Sequence, residues 1–283
     1  MLVTPPWYFA NVTDNYTGTP ANNQAGTSVT VGASNADGAT ATLLTALGHD
    51  VHYIVVGING ATSSGRAQYT LLDILQDPAG GTAWASLIDD LVCGYTLIFL
   101  NTVVGMMWYH FPVFVKSGSS IGARARTSIS TGIGNARVFI SAFGNPSRPE
   151  MWWCGQGVET LGVTAASSVG TSLTPGNTGS YGSWTNIGGT TNAPYGAIQC
   201  GTNGTDASAA ALAYYFQVGY SSTQLPGSPT MGQVYTTAED GMISRPNAPI
   251  WCDIPSGTQM QMRATCSGTA EIWAGGVAIY GVY

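Results

Sequence analysis

Two stretches of fifteen residues follow one recipe: FPVFVKSGSSIGARA, residues 111–125, and IWCDIPSGTQMQMRA, residues 250–264. Each is a short apolar run, then Ser-Gly, then alternating residues that end on Arg-Ala. Ser117-Gly118 lies 139 residues before Ser256-Gly257, and Arg124 lies the same distance before Arg263. The pattern predicts a strand, a tight turn at Ser-Gly, and a second strand whose side chains alternate between core and solvent. Beyond it, VFISAFG, ending at Gly144, matches GGVAIYG, ending at Gly281. Upstream, VGASNADGATATLL (31–44) resembles CGTNGTDASAAALA (200–213), and HYIVVGI (52–58) resembles YYFQVGY (214–220). Four blocks recurring in one order predict an internal duplication.

Period-2 alternation returns in SVTVGAS, RVFISAF and VAIYGVY, with turn residues between such runs. The predicted fold class is therefore all-β, with two tandem antiparallel β-sandwich (jelly-roll-like) domains: residues 1–160, with longer loop insertions, and residues 161–283. The boundary falls where Pro, Gly and Ser concentrate. Only TLLDIL and AWASLIDDL offer a helical spacing of apolar residues, and both are short. The uncharged stretch 91–115 is long enough to span a bilayer. Its Gly, Asn and Pro interruptions and its β-branched and aromatic residues instead predict two buried strands with a turn near Asn101 to Gly105.

Charged residues make up 8% of the chain, against roughly 25% in an ordinary domain, and the net charge is −6. With so few cations, no nucleic acid partner is expected. The opening residues lack a basic, apolar and small-residue succession, so synthesis in a cytoplasm without a signal peptide is expected. Five cysteines without metal-ligand spacing predict buried free thiols.

The search for chemistry yields little. His49 and His52, flanking Asp50, form at best half a metal site, and ordinary hydrogen-bonded histidines are the plainer reading of them and of His110. Asp89-Asp90 and Glu239-Asp240 are adjacent carboxylates, which alternation sends to opposite faces of a strand. Asp37 and Asp206 suit turns, or a calcium loop. No catalytic residue, metal or cofactor is predicted. Trp184, Tyr181 and Tyr195 lie in a Gly/Thr/Asn-rich stretch, where aromatic rings beside amides suit stacking on sugars, or packing of the loop. Trp152 and Trp153 sit at the expected domain junction. Arg124 and Arg263 are predicted structural counterparts, each pairing with a carboxylate or with strand-end carbonyls.

The succession DILQDPAGGTAWASLIDDLVCG, FPVFVKSGSSIGARA, VFISAFGNPSRPE and VETLG resembles the virion structural proteins of tailed bacteriophages and of phage-derived gene transfer agents, in particular fibre, spike and decoration β-sandwich proteins. The likeness runs over residues 30–165 and reaches the second half through the duplication. It implies a non-enzymatic component on the outside of a virion, aiding host attachment or particle stabilisation. Implied partners are other copies of the chain, as a homo-oligomer and often a trimer, other virion proteins, and host surface polysaccharide. Membrane insertion is not expected, and no functional residue is implied. The alternatives are a carbohydrate-binding module for bacterial surface polysaccharide and, behind it, a glycan-cleaving or metal-dependent enzyme.

Overall fold

The structure, a computed structural model, describes residues 26–32, 35–59, 68–96, 107–127, 135–144, 153–163, 170–206, 213–225, 231–234, 249–268 and 273–283. Among them the secondary structure is all strand, without a helix. Among the described residues no helix is long and apolar enough to cross a membrane.

The first half contributes β1 (Thr27–Gly32), β2 (Ala41–Leu44), β3 (Tyr53–Asn59), β4 (Gln68–Asp77), β5 (Ala85–Thr96), β6 (Met107–Phe111), β7 (Ser120–Thr127) and β8 (Asn135–Phe143). They join in one eight-stranded sheet that curls on itself. One layer runs β1-β8-β3-β6, the other β2-β7-β4-β5. β1 belongs to both: Thr27–Thr30 pair antiparallel with β8, while Val31 and Gly32 pair parallel with β7. Val29, Val31, Ile54, Val56, Leu72, Ile74, Ile121 and Ala123 fill the space between the layers.

The second half contributes β9 (Val158–Leu161), β10 (Thr185–Thr190), β11 (Tyr195–Asp206), β12 (Ala213–Tyr220), β13 (Thr223–Gln224), β14 (Met231–Val234), β15 (Ile250–Ile254), β16 (Gln259–Cys266) and β17 (Trp273–Val282). One sheet is ordered β9-β17-β11-β15. The other is β10-β16-β12, with β13 and β14 both paired to β12. β9 straddles the boundary expected at residues 160/161 and pairs with β17, so the second group of sheets begins at Val158.

The alternation expected after each Ser-Gly is present. In β16, Met260, Met262 and Ala264 face the core; in β7, Ile121, Ala123 and Ala125 do. Both preceding turns place glycine in the left-handed region, Gly118 at φ 83° and Gly257 at φ 78°, where any other residue would be strained. The upstream correspondences fare differently. HYIVVGI forms β3, which pairs with β6 and β8, whereas YYFQVGY forms β12, which pairs with β13, β14 and β16. By pairing pattern the counterpart of β12 is β4. A period of two with one glycine describes any strand beside a core, so it identifies a strand without saying which one.

TLLDIL and AWASLIDDL lie in β4 and β5. β4 reads as an apolar run because it is buried on both faces, with Asp73 and Asp77 buried as well. β5 looks helical because its alternation is broken: Asp90 takes φ 58° and the β4/β5 register shifts around it, a bulge that changes the phase of every later side chain. The stretch 91–115 does supply parts of two strands, β5 and β6; the turn expected near Asn101 to Gly105 lies outside the described residues.

The halves share a core. β17 and β11 are buried on both faces: Ile198, Cys200, Val277 and Ile279 face the second half's own core, while Ala197, Ala278, Tyr280 and Val282 belong to the first half's core. Tyr280 is fully buried, packed edge-on against Tyr109 at 5.6 Å and Phe111 at 6.1 Å. Its hydroxyl accepts from Val92 N at 2.8 Å and donates to Asp90 O at 3.0 Å. Tyr109 Oη donates to Val92 O at 2.6 Å. β5 ends its layer, so the two tyrosines satisfy groups that no further strand takes. Gly201 makes room for them: a Cβ there would sit 2.9 Å from Tyr109 Oη and 3.0 Å from Tyr280.

Tyr280→Phe keeps the ring and removes both bonds, leaving the buried Val92 N–H without an acceptor. The expected loss is about 1–3 kcal/mol in urea unfolding followed by tryptophan fluorescence. A change below about 0.5 kcal/mol would mean that packing alone holds the seam.

Candidate functional site

In this charge-poor chain, ionised groups gather on the face of β4 and β7 turned away from the space between the layers. Arg124 Nε lies 2.9 Å from Asp73 Oδ2 and 3.2 Å from Asp37 Oδ2. Arg126 reaches Asp37 at 3.1 Å and Asp73 at 3.8 Å, and its other nitrogen bonds Asp90. The Asp90 amide in turn donates to Asp73 Oδ1 at 2.9 Å. Burial pushes the Asp73 carboxyl above its ordinary value, and the bond from Arg124 and the charge of Arg126 only partly pull it back. Burial also works against the Arg124 cation, yet its bond and charge pairing with Asp73 leave it raised. The two directions agree once exposure is considered. The Asp73 side chain is 3% exposed and that of Arg124 35%, so the desolvation cost of the pair falls on the aspartate. Asp37, read from sequence as a turn or calcium residue, is therefore an ion-pair partner.

Arg263 occupies the matching place in the second half. Arg124 stands opposite Asp73 on β4, and Arg263 opposite Gln217 on β12, with Arg263 Nε donating to Gln217 Oε1 at 2.9 Å. Without a carboxylate, the guanidinium lies over the rings of Trp184, at 4.4 Å, and Tyr181, at 4.9 Å. The structure thus brings Trp184 and Tyr181 together, with Arg263 over one face of each ring. Tyr195 is elsewhere. It is buried at the start of β11, and its hydroxyl donates to Glu159 Oε2 at 2.6 Å, so it offers no stacking face. Burial, then the neighbouring Glu159, raises its pKa well above the usual phenol range.

Glu159, not singled out by sequence, leads to a cavity of about 500 Å³ between the halves. Asp89 and Asp90 on β5 line one side, with Glu159 and Thr160 on β9, Asn192 in the β10–β11 turn, and Tyr283 opposite. Three donors hold Glu159: Asn192 N at 3.0 Å, Asn192 Nδ2 and Tyr195 Oη. Ser86 Oγ donates to Asp89, and Thr160 Oγ1 donates to Asp89 O at 2.6 Å. Strict alternation sends Asp89 and Asp90 to opposite faces; the bulge at Asp90 brings both to this seam.

Two of the exposed large aromatics meet each other. Trp153, 49% exposed, and Trp251 on β15, 58% exposed, meet edge to face at 5.6 Å. Trp152, Glu239 and Asp240 lie outside the described residues, as does the side chain of Asp206. Among the described residues no three His, Cys, Asp or Glu side chains gather where a metal ion fits. His52 is buried against Phe114, with its pKa lowered chiefly by that burial, and His110 packs on Tyr53. All five cysteines are free thiols. Burial pushes Cys200 and Cys252 up to about 12 and Cys93 higher still, so thiolate chemistry at neutral pH is disfavoured at these three.

No family model and no curated protein matches the chain. Among solved structures, N-glycanase F (PNGase F) aligns with 12% sequence identity over 91% of this chain and 93% of that one, at a TM-score of 0.30.

Arg124→Met leaves Asp73 short of one counter-charge and raises its pKa further. The lost pairing matters least at acid pH, where a raised Asp73 takes up its proton, so the variant's deficit is smaller near pH 4. As pH rises through the carboxylate range, only the variant bears the added cost, and the deficit grows by about 1–2 kcal/mol towards pH 7. Paired urea titrations at the two pH values check the sign; a pH-independent deficit contradicts it. Trp184→Ala is expected to lower stability by about 1–3 kcal/mol through loss of the Arg263 stack, read as a lower melting temperature.

Proposed function

We propose that this chain is a non-enzymatic structural component on the outside of a phage-like particle, made in the host cytoplasm and assembled there as a homo-oligomer with other virion proteins. In this reading the chain is two tandem jelly-roll sandwiches descended from one ancestor. The observation that carries it is the match in strand order, β1-β8-β3-β6 and β2-β7-β4-β5 against β9-β17-β11-β15 and β10-β16-β12-β14, with Arg124 and Arg263 at matching places. Each order is the eight-strand jelly-roll order. The shared core supports a rigid brick rather than two hinged modules, and the ion pairs of the first half support a role in holding sheets together. A surface with few ions to desolvate suits close packing between subunits.

A second reading, a carbohydrate-binding module for bacterial surface polysaccharide, is favoured by the exposed faces of Trp153 and Trp251.

Light scattering of the purified full chain tests the first reading: a stable oligomer, trimeric if the family pattern holds, without added ligand. Cryo-electron microscopy of the parent particle should place the chain on its exterior. A chain that stays monomeric at about 100 µM and is missing from purified particles, or that releases reducing sugar from a glycan, contradicts it.

A further inference from the structure

We propose that the cavity at the seam between the two halves binds an uncharged saccharide. The inference rests on the carbohydrate-binding reading and deepens it by adding a site distinct from the exposed tryptophans and naming the charge class of its ligand.

Size comes first. About 500 Å³ lies within the roughly 300–1,000 Å³ of small-molecule sites. The hydrogen-bonding edge comes next. A carboxylate offers about four acceptor positions; Glu159 uses three on Asn192 and Tyr195, which fixes its plane and leaves capacity for one more donor. Asn192 spends its amide N–H on Glu159 and keeps a carbonyl oxygen to accept with. Ser86 takes Oδ1 of Asp89, leaving Oδ2. The rim is therefore rich in acceptors at fixed positions, and its complement is a ligand with several O–H donors at fixed spacing.

The wall adds the second half of the match. Tyr283 is partly exposed, with its ring braced against Gly157, where a Cβ would come within 2.9 Å of it. Val158 and Val163 supply an apolar floor. A pyranose presents this pairing, hydroxyls around the edge and C–H groups on a face. Charge then selects within the class. The ionised groups that line the cavity are carboxylates, and Arg126, the nearby cation, is already paired with Asp90 and Asp37. Uronates, sialic acids and phosphorylated sugars are repelled, while neutral hexoses and N-acetylhexosamines are not. Since β5 and β17 are joined through Tyr280, the two sides of the cavity are held before the ligand arrives, which lowers the ordering cost of binding.

Saturation-transfer NMR on the full chain tests this with four probes: oligomers of glucose, galactose and N-acetylglucosamine, and an oligogalacturonate. At least one neutral oligomer is expected to bind and the uronate not to. Asp89→Asn and Asn192→Ala, both on exposed side chains, should weaken that binding at least tenfold while leaving the melting temperature within a few degrees, and Trp251→Ala should leave it unchanged. Loss in Trp251→Ala with retention in the other two overturns the seam site and leaves the carbohydrate reading standing. Preference for the uronate overturns the charge argument. Absence of binding by every neutral oligomer overturns the site and the carbohydrate reading together.

Discussion

The hydroxyl of Tyr280, set between the amide of Val92 and the carbonyl of Asp90, joins one half of this protein to the other. An edge strand leaves backbone groups that no further strand satisfies, and Val92 on β5 is one such place. A side chain arriving from nearly two hundred residues away does the work instead, helped by Tyr109 on the carbonyl side. The consequences spread outward. β17 is buried on both faces from Gly276 to Val282, and its side chains there are apolar or glycine apart from the Tyr280 hydroxyl. The first half's core is complete only with Ala197, Ala278, Tyr280 and Val282 in it. The cavity lined by Asp89 and Glu159 lies at the same seam.

Scarcity of charge governs the rest of the surface. With eight lysines and arginines in the whole chain, each guanidinium at a sheet surface has few carboxylates to choose from. The first half places Asp37, Asp73 and Asp90 around Arg124 and Arg126. The second half has Gln217 opposite Arg263 and covers the cation with Trp184 and Tyr181. One backbone position thus carries two solutions to the same problem. An aromatic face needs less desolvation than a carboxylate, which suits a position opposite a neutral glutamine.

The aromatic cluster that the sequence offers as a binding motif is divided by the fold. Trp184 and Tyr181 do converge, but on a residue eighty positions away that their own neighbourhood does not reveal. Tyr195 shares their Gly/Thr/Asn-rich stretch and points elsewhere, because it begins β11 and its ring faces the core. Glu159, Asn192 and Asp89 carry no local signature. Two lie in turns or at a strand edge, and the third depends on a bulge whose positive φ is invisible in a sequence of Leu-Ile-Asp-Asp-Leu-Val.

Strand content, the Ser-Gly turns and the strand positions of Arg124 and Arg263 after them were legible in the amino-acid sequence. Each rests on a short-range rule: alternation of period two, glycine at a left-handed turn, and a cation at a constant distance from that turn. Which upstream strand answers to which was not legible, because β3 and β12 satisfy the same alternation and differ only in their neighbours. The shared core, the fate of Tyr195 and the seam cavity were decided by tertiary structure alone. They depend on contacts between residues far apart in the chain, and a local pattern constrains which face a side chain takes but not what stands across from it.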